Sequence, residues 1–411
     1  MALLLLVLAL APAAAAVPSP PKAAPMLLVD LGSRAPDVKA LDGSSTHFYF
    51  GAASSTKRNR TWVFFMEGGS DCTDEATCAA IVKSGEGSGR NAAPSIPTPR
   101  APLLLQDVEA NPRFFDANHV YLPYMTGDFH GGQRCADAGR FAGRYWFCGH
   151  RHLEATVDTL LKEHHLDQAE TVIFNGCSTG GMGVFRNLDW FTTKLKAKAA
   201  APQATVLGAA FSGFYFFQNP YVGPGAGAVQ DFSAAGFEQY YALHNAYVDE
   251  SCKAALAPKG EAWRCQQAIE SEAYISTPLF VAEDQTDRVV MTYHSGVTPP
   301  ATWKQNQPMA TYAAQWRHNM TRALAAFESR KPQRGVFAPA CWNHCGNVYG
   351  RPVVRGADVI TAFGAWVDKV LSPHAGNGSS AYVDDCDPSP CNPTCVAPDT
   401  VPPTGKKTFD L

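Results

Sequence analysis

The hexapeptide Gly176-Cys177-Ser178-Thr179-Gly180-Gly181 is the part of the chain best suited to chemistry. A serine with glycine two residues away on either side fits a sharp strand-to-helix turn that lifts its hydroxyl clear of a sheet. The surroundings agree. Residues 171–174, Thr-Val-Ile-Phe, form an apolar run of strand type, and Met182, Val184, Phe185 and Leu188 follow at helical spacing. A helix that starts just behind Ser178 also favours negative charge developing there.

A serine hydroxyl is a weak nucleophile until a base takes its proton, and that base must be oriented by an acid. Four histidines follow the apolar run at 278–282: His294, His318, His344 and His374. His318 lies in a helical pattern of Trp316, Met320 and Leu324, His374 opens a polar tail, and His294 has no motif around it. His344 stands in Cys341-Trp342-Asn343-His344-Cys345, directly after the strand-like run at 335–338. A Cys341–Cys345 bridge is expected, closing a small ring that fixes the imidazole and adds little to global stability. Asp284 and Asp287 both follow the run ending near Ala282, and spacing alone does not choose between them.

An oxyanion also needs donors, and losing one typically costs about a hundred- to a thousandfold in turnover. The backbone N–H of Thr179 is one. A second is expected from Glu67-Gly68-Gly69-Ser70, which follows the apolar run at 61–66. Neither metal nor cofactor is expected: Gly149-His150-Arg151-His152 has no matching ligands, the C-x-x-C pairs of a zinc site are absent, and Gly223-Pro224-Gly225-Ala226-Gly227 lacks the Lys-Ser/Thr ending of a phosphate loop.

Short β-branched or aromatic runs at 61–66, 119–124, 171–174, 204–210, 278–282 and 335–338 alternate with helical patterns such as 151–164. That order predicts an α/β fold with a mostly parallel central sheet flanked by helices. One domain is read at 26–372, with insertions at 214–237 and 252–265 forming a cap, and a Cys/Pro-rich tail at 373–411. Residues 1–16, an apolar stretch ending Ala14-Ala15-Ala16, read as a signal peptide, and 17–25 as a Pro/Ala-rich linker. The twelve cysteines then read as disulfides, Cys72, Cys78, Cys341 and Cys345 among them, and the sequons at Asn59, Asn319 and Asn377 as glycosylation sites. Secretion is the expectation. No later segment is apolar for long enough to span a bilayer. With 34 basic and 37 acidic residues and a formal net charge of −3, the chain has no footprint for nucleic acid. A monomer is expected.

Leu41-Asp42-Gly43-Ser44, the Glu67-Gly68-Gly69 loop with Cys72, Asn111-Pro112, the serine hexapeptide, Pro278-Leu279-Phe280 followed by Asp287, and Cys341-x-x-His344-Cys345 occur in the order seen in pectin acetylesterases, the family that includes Notum. Over about residues 41–345 the chain resembles that family. The resemblance implies an α/β-hydrolase fold and a triad of Ser178, Asp287 and His344. It further implies Gly69 and Thr179 as oxyanion donors, with Gly68 and Ser70 shaping the substrate side of that loop. Cys177 and the His344-Cys345 pair resemble the plant polysaccharide branch. Three residues depart from the family pattern: Ser70 where Gly or Trp is frequent, Thr179 where Ala is frequent, and Met125 where Cys is common. The implied activity is removal of O-acetyl groups from a pectin-like extracellular polysaccharide. The alternatives are a Notum-like lipid deacylase acting on an acylated protein and a glycan-binding protein on an inactive hydrolase scaffold.

Overall fold

The structure is a computed structural model and describes residues 24–97, 101, 103–135, 140–198, 203–346, 351–372, 380–388 and 390–395. The segment read as a signal peptide and the Asn377 sequon lie outside them.

Ten strands form one sheet: β1 Met26–Asp30, β2 His47–Gly51, β3 Thr61–Met66, β4 Ser95–Ile96, β5 Asn118–Leu122, β6 Thr171–Cys177, β7 Thr205–Phe211, β8 Leu279–Ala282, β9 Arg334–Ala338 and β10 Ala381–Val383. Their spatial order is β10-β9-β8-β7-β6-β3-β5-β2-β1-β4. From β5 through β3 to β10 every pairing is parallel, whereas β5–β2, β2–β1 and β1–β4 are antiparallel. Among the described residues the helices of ten residues or more are α1 Glu75–Ser84, α2 Gly149–Glu163, α3 Thr179–Lys196, α4 Ala234–His244, α5 Gln307–Arg330 and α6 Val359–Leu371.

All six residues of β3, Thr-Trp-Val-Phe-Phe-Met, are buried, as a strand covered on both faces requires. Alternation sends Trp62, Phe64 and Met66 to one face, where they join Val172 and Phe174 of β6 and the apolar sides of α2, α3 and α5. Val63 and Phe65 go to the other, with Ile173, Leu207, Phe280 and the α6 residues Phe363 and Trp366. Each such large apolar side chain contributes about 1.5–3 kcal/mol when fully buried.

The chain runs from β3 to β5 on one side and then crosses to β6 on the other. Loops that leave the C-terminal ends of β3 and β6 in opposite directions open a crevice, the usual place for a ligand in an open parallel sheet. The Gly68-Gly69 loop and Ser178 sit at those two ends.

The sequence reading closes the domain at 372, but β10 lies inside the segment read as a tail. It pairs in parallel with β9, with Val383 packed on one core face and Tyr382 on the other. Three residues in a Gly/Ser/Asp/Pro-rich stretch carry too little periodicity to announce a strand. The antiparallel edge strands β1, β2 and β4 likewise escape the sequence reading.

Candidate active site

Ser178 occupies the turn between β6 and α3 with φ 61° and ψ −128°. A non-glycine residue held there costs on the order of 1–3 kcal/mol. Its backbone is fixed on both sides: its N–H donates to the Phe211 carbonyl of β7 at 2.9 Å, and its carbonyl accepts from Met182 N at 3.0 Å. The glycines around it serve close packing. A Cβ on Gly180 would lie 2.0 Å from the Met66 carbonyl oxygen, and one on Gly68 would lie 2.6 Å from both the Cys177 carbonyl oxygen and Ser178 Cβ. Ser178 is half-buried, whereas Thr179, Asp287 and His344 are buried.

Asp287 and His344, 57 residues apart, meet through a hydrogen bond of 2.7 Å between His344 Nδ1 and Asp287 Oδ2. The other carboxylate oxygen accepts from Val289 N at 2.9 Å and Val290 N at 3.0 Å, the first amides of the turn that follows. Both side chains are fully buried, and His344 Nε2 has no hydrogen-bond partner. Backbone and hydroxyl bonds lace the acid loop to the histidine loop: Gln285 N to Pro339 O, Arg288 N to Asn343 O, and Thr286 Oγ1 to Cys341 O at 2.6 Å. Asp284, the other candidate acid, is also fully buried but neither of its carboxylate oxygens has a hydrogen-bond partner. Burial, then the nearby charge of Asp287, push its pKa well up.

Glu283 escapes the sequence reading. Burial and then the charge of Asp287 hold its carboxyl well above the usual range, and its Oε1 has no hydrogen-bond partner. Its Oε2 accepts from Phe214 N at 2.9 Å. Tyr215 was missed as well. Its hydroxyl donates to the Ser212 carbonyl and lies near the Ser178 side chain. His294 is buried two turns after Asp287 and stacks on Phe232 of the 214–237 insertion with centroids 3.6 Å apart. Only the insertion's aromatic content could have hinted at this.

The loop after β3 is anchored on every side. Glu67 Oε2 accepts from Tyr124 N at 2.8 Å, and His130 Nε2 bonds the Glu67 carbonyl at 2.8 Å. Ser70 is exposed, with its N–H and hydroxyl both on Glu86. Gly69 N–H donates to Thr179 Oγ1 at 2.8 Å.

The expected Cys341–Cys345 bridge does not form. Cys345 pairs with Cys177, 168 residues away, and Cys341 with Cys395, 54 residues away. The two cysteines serve different neighbours: Cys345 faces the end of β6, and Cys341 faces the returning tail, where Ala340 O accepts from Cys391 N. Cys177 precedes Ser178 and Cys345 follows His344, so one covalent bond joins the residues flanking both. Cys72 pairs with Cys78. Asn59 and Asn319 are exposed, as is His318 on α5. Among the described residues no group of three His, Cys, Asp or Glu is arranged to hold a metal, and no helix is long and apolar enough to cross a membrane.

Chemically, the arrangement offers a hydroxyl at a strained turn, an imidazole whose Nδ1 is bound to a buried carboxylate, and backbone amides at the start of a helix. Comparison with known proteins agrees with acyl transfer. Pectin acetylesterase 5 of Arabidopsis thaliana is 26% identical over 376 residues, covering 86% of this chain and 81% of its own. The palmitoleoyl-protein carboxylesterase notum1a of Danio rerio is 25% identical over 374 residues, covering 86% and 69% respectively. The structure of the Wnt deacylase Notum from Drosophila superposes with a TM-score of 0.76 at 22% identity, covering 91% of this chain and all of that one, and so shares its α/β-hydrolase-like fold. The family model for pectinacetylesterase matches residues 20–396. The chain therefore belongs to the pectinacetylesterase family, and is a carboxylic-ester hydrolase.

Proposed function

We propose that this esterase removes O-acetyl groups from an extracellular, pectin-like polysaccharide by way of an acyl-enzyme on Ser178. The carrying observation is the buried Asp287–His344 hydrogen bond, which leaves Nε2 unpartnered on a loop tied by disulfide to the residue before Ser178. His344 takes the Ser178 proton as the hydroxyl attacks the acetyl carbonyl, and returns it to the departing sugar oxygen. Water then repeats the cycle and releases acetate. Asp287, held by the Val289 and Val290 amides, keeps Nδ1 protonated and stabilises the imidazolium.

Polar groups beside the serine favour a short acyl chain. Thr179, next in the chain, has its hydroxyl on the Gly69 amide, and the Tyr215 hydroxyl is on the Ser212 carbonyl near the serine. A fatty acyl chain gains about 0.8 kcal/mol per buried CH₂ only against apolar walls. Six disulfides among the described residues support an oxidising, extracellular setting. The Notum relatives keep a second reading in play, deacylation of a lipidated protein. Hydrolysis rates of p-nitrophenyl acetate, butyrate, octanoate and palmitate, beside acetate release from acetylated pectin and xylan, separate the two. Acetate esters and acetylated pectin should be preferred. A preference for octanoate or palmitate would replace the proposal with the second reading.

A further inference from the structure

The Gly69 amide, one of the two expected oxyanion donors, is not open to a substrate carbonyl in this chain. It donates at 2.8 Å to Thr179 Oγ1, the side chain of the residue after the nucleophile. A threonine hydroxyl has two lone pairs and one proton. One lone pair is used by Gly69. The proton has only the Gly69 carbonyl at 3.4 Å, well beyond the usual 2.7–2.8 Å of an O–H···O bond. A nearly unspent hydroxyl proton thus stands on the buried side chain that directly follows the serine, at the first turn of α3, where the helix also favours negative charge.

We propose that Thr179 supplies two oxyanion donors, its backbone N–H and its Oγ1–H, and that Gly69 acts one step behind by donating to that hydroxyl. This rests on the serine-esterase reading above. A hydroxyl that already accepts from an amide is a better donor, because hydrogen bonds in a chain polarise one another. An O–H donating to an oxyanion is also shorter and stronger than a neutral pair. The relay therefore strengthens as charge moves onto the carbonyl oxygen, which is when it lowers the barrier. With alanine at this position the Gly69 amide would have to reach the oxygen itself. Thr179 makes the second donor a rotatable hydroxyl.

The alternative is that Thr179 merely covers the Gly69 amide and must swing aside. The two predict opposite signs. Thr179→Ala, Thr179→Val and Thr179→Ser are compared with wild type and Ser178→Ala on p-nitrophenyl acetate, with thermal midpoints and inhibition by phenylboronic acid, a probe that forms a tetrahedral adduct on an active serine. Thr179→Ala is expected to lose about a hundred- to a thousandfold in kcat, with KM changed less than threefold and a parallel loss of boronate affinity. Thr179→Val, which keeps the packing, should lose at least as much. Thr179→Ser should recover most of the loss. Thr179→Ala or Thr179→Val turning over as fast as wild type, or faster, overturns the relay while leaving the esterase reading intact. Wild type showing no hydrolysis that Ser178→Ala abolishes overturns both.

Discussion

The Ser178 turn and the His344 loop both follow C-terminal ends of strands and are joined by the Cys177–Cys345 disulfide, and they are held in different ways. Ser178 is fixed by its own strand and helix, by one hydrogen bond to the adjacent strand, and by glycines that let α3 approach Met66. His344 has no helix or strand of its own. It is fixed by Asp287 from the preceding strand's loop, by a disulfide to β6, and by a second disulfide to the tail at Cys395. One half of the site is thus encoded within about a dozen consecutive residues, and the other is assembled from four distant segments. Substitutions in the first should stop the reaction with little effect on its framework. Those in the second should separate positioning from stability.

Removing the nucleophile is the largest expected effect. Ser178→Ala should cost about a millionfold in kcat with an unchanged thermal midpoint, since it deletes one hydroxyl from a half-exposed turn. Retention of a tenth of the wild-type rate would show that the turn is not where the reaction occurs.

On the other side, Asp287→Asn should cost about ten-thousandfold in kcat, because an amide there favours the wrong tautomer of His344. Asp284→Asn should cost less than tenfold. A neutral acid replaced by a neutral amide changes neither charge nor shape much, and neither oxygen of Asp284 has a hydrogen-bond partner. The reverse ranking would remove Asp287 from the site.

The two bridges to the histidine loop sharpen the comparison. By loop-closure entropy, cutting Cys177–Cys345 removes about 5 kcal/mol of stability and cutting Cys341–Cys395 about 4 kcal/mol, so Cys→Ser pairs at either should lower the thermal midpoint similarly. Turnover should differ. Untying Cys345 frees the nucleophile's neighbour from the base's neighbour, and about 1 Å of misplacement costs roughly a hundredfold. The Cys341/Cys395 pair should lose less than tenfold when assayed well below its midpoint. Equal turnover losses would show that both bridges act only on stability.

The smallest effect should come from acid, and it should strike both halves together. Burial depresses His130, which props the Glu67 loop, and His294, beside the acid loop, to about 4. It depresses His119 and His150 to about 4, and His152 and His244 to about 3. The unfolded chain takes up these protons below about pH 6.5 while the folded one does not, so the stability these histidines contribute is full above 6.5 and declines toward pH 4. Buried carboxyls oppose this: Asp128, raised to about 6, and Asp71, Glu283 and Asp284, raised well above the usual range, hold protons in the folded chain that the unfolded chain gives up, so the six histidines outweigh them only narrowly. The urea midpoint should be lower at pH 5 than at pH 7. A flat profile would mean that water reaches these rings.

The same contrast explains what the sequence makes legible. The parallel strands and the Ser178 turn are visible because their signals are local: continuous apolar runs, small residues around a serine, helical spacing after it. The choice between Asp284 and Asp287 is not, because three residues on a tight turn decide which carboxylate meets a ring 57 positions away. Cys341 and Cys345 look like partners by proximity in sequence, yet each faces a different element. Gly69 shows a subtler limit: its N–H is where the resemblance implies a donor, and the side chain that takes it belongs to a departure from the family pattern at Thr179.

The tail has a consequence for how the enzyme comes into being. Asp384 accepts from Ala340 N at 2.8 Å and its carbonyl accepts from Gln285 Nε2 at 2.8 Å, while Cys395 closes on Cys341. The last-made described residues thus brace both the acid loop and the histidine loop. At ordinary rates of synthesis they leave the ribosome about 10 to 40 s after Ser178 does. During that interval the Ser178 turn can be complete while the acid and histidine loops still lack their final support, so the full bracing of the site arrives late in biosynthesis.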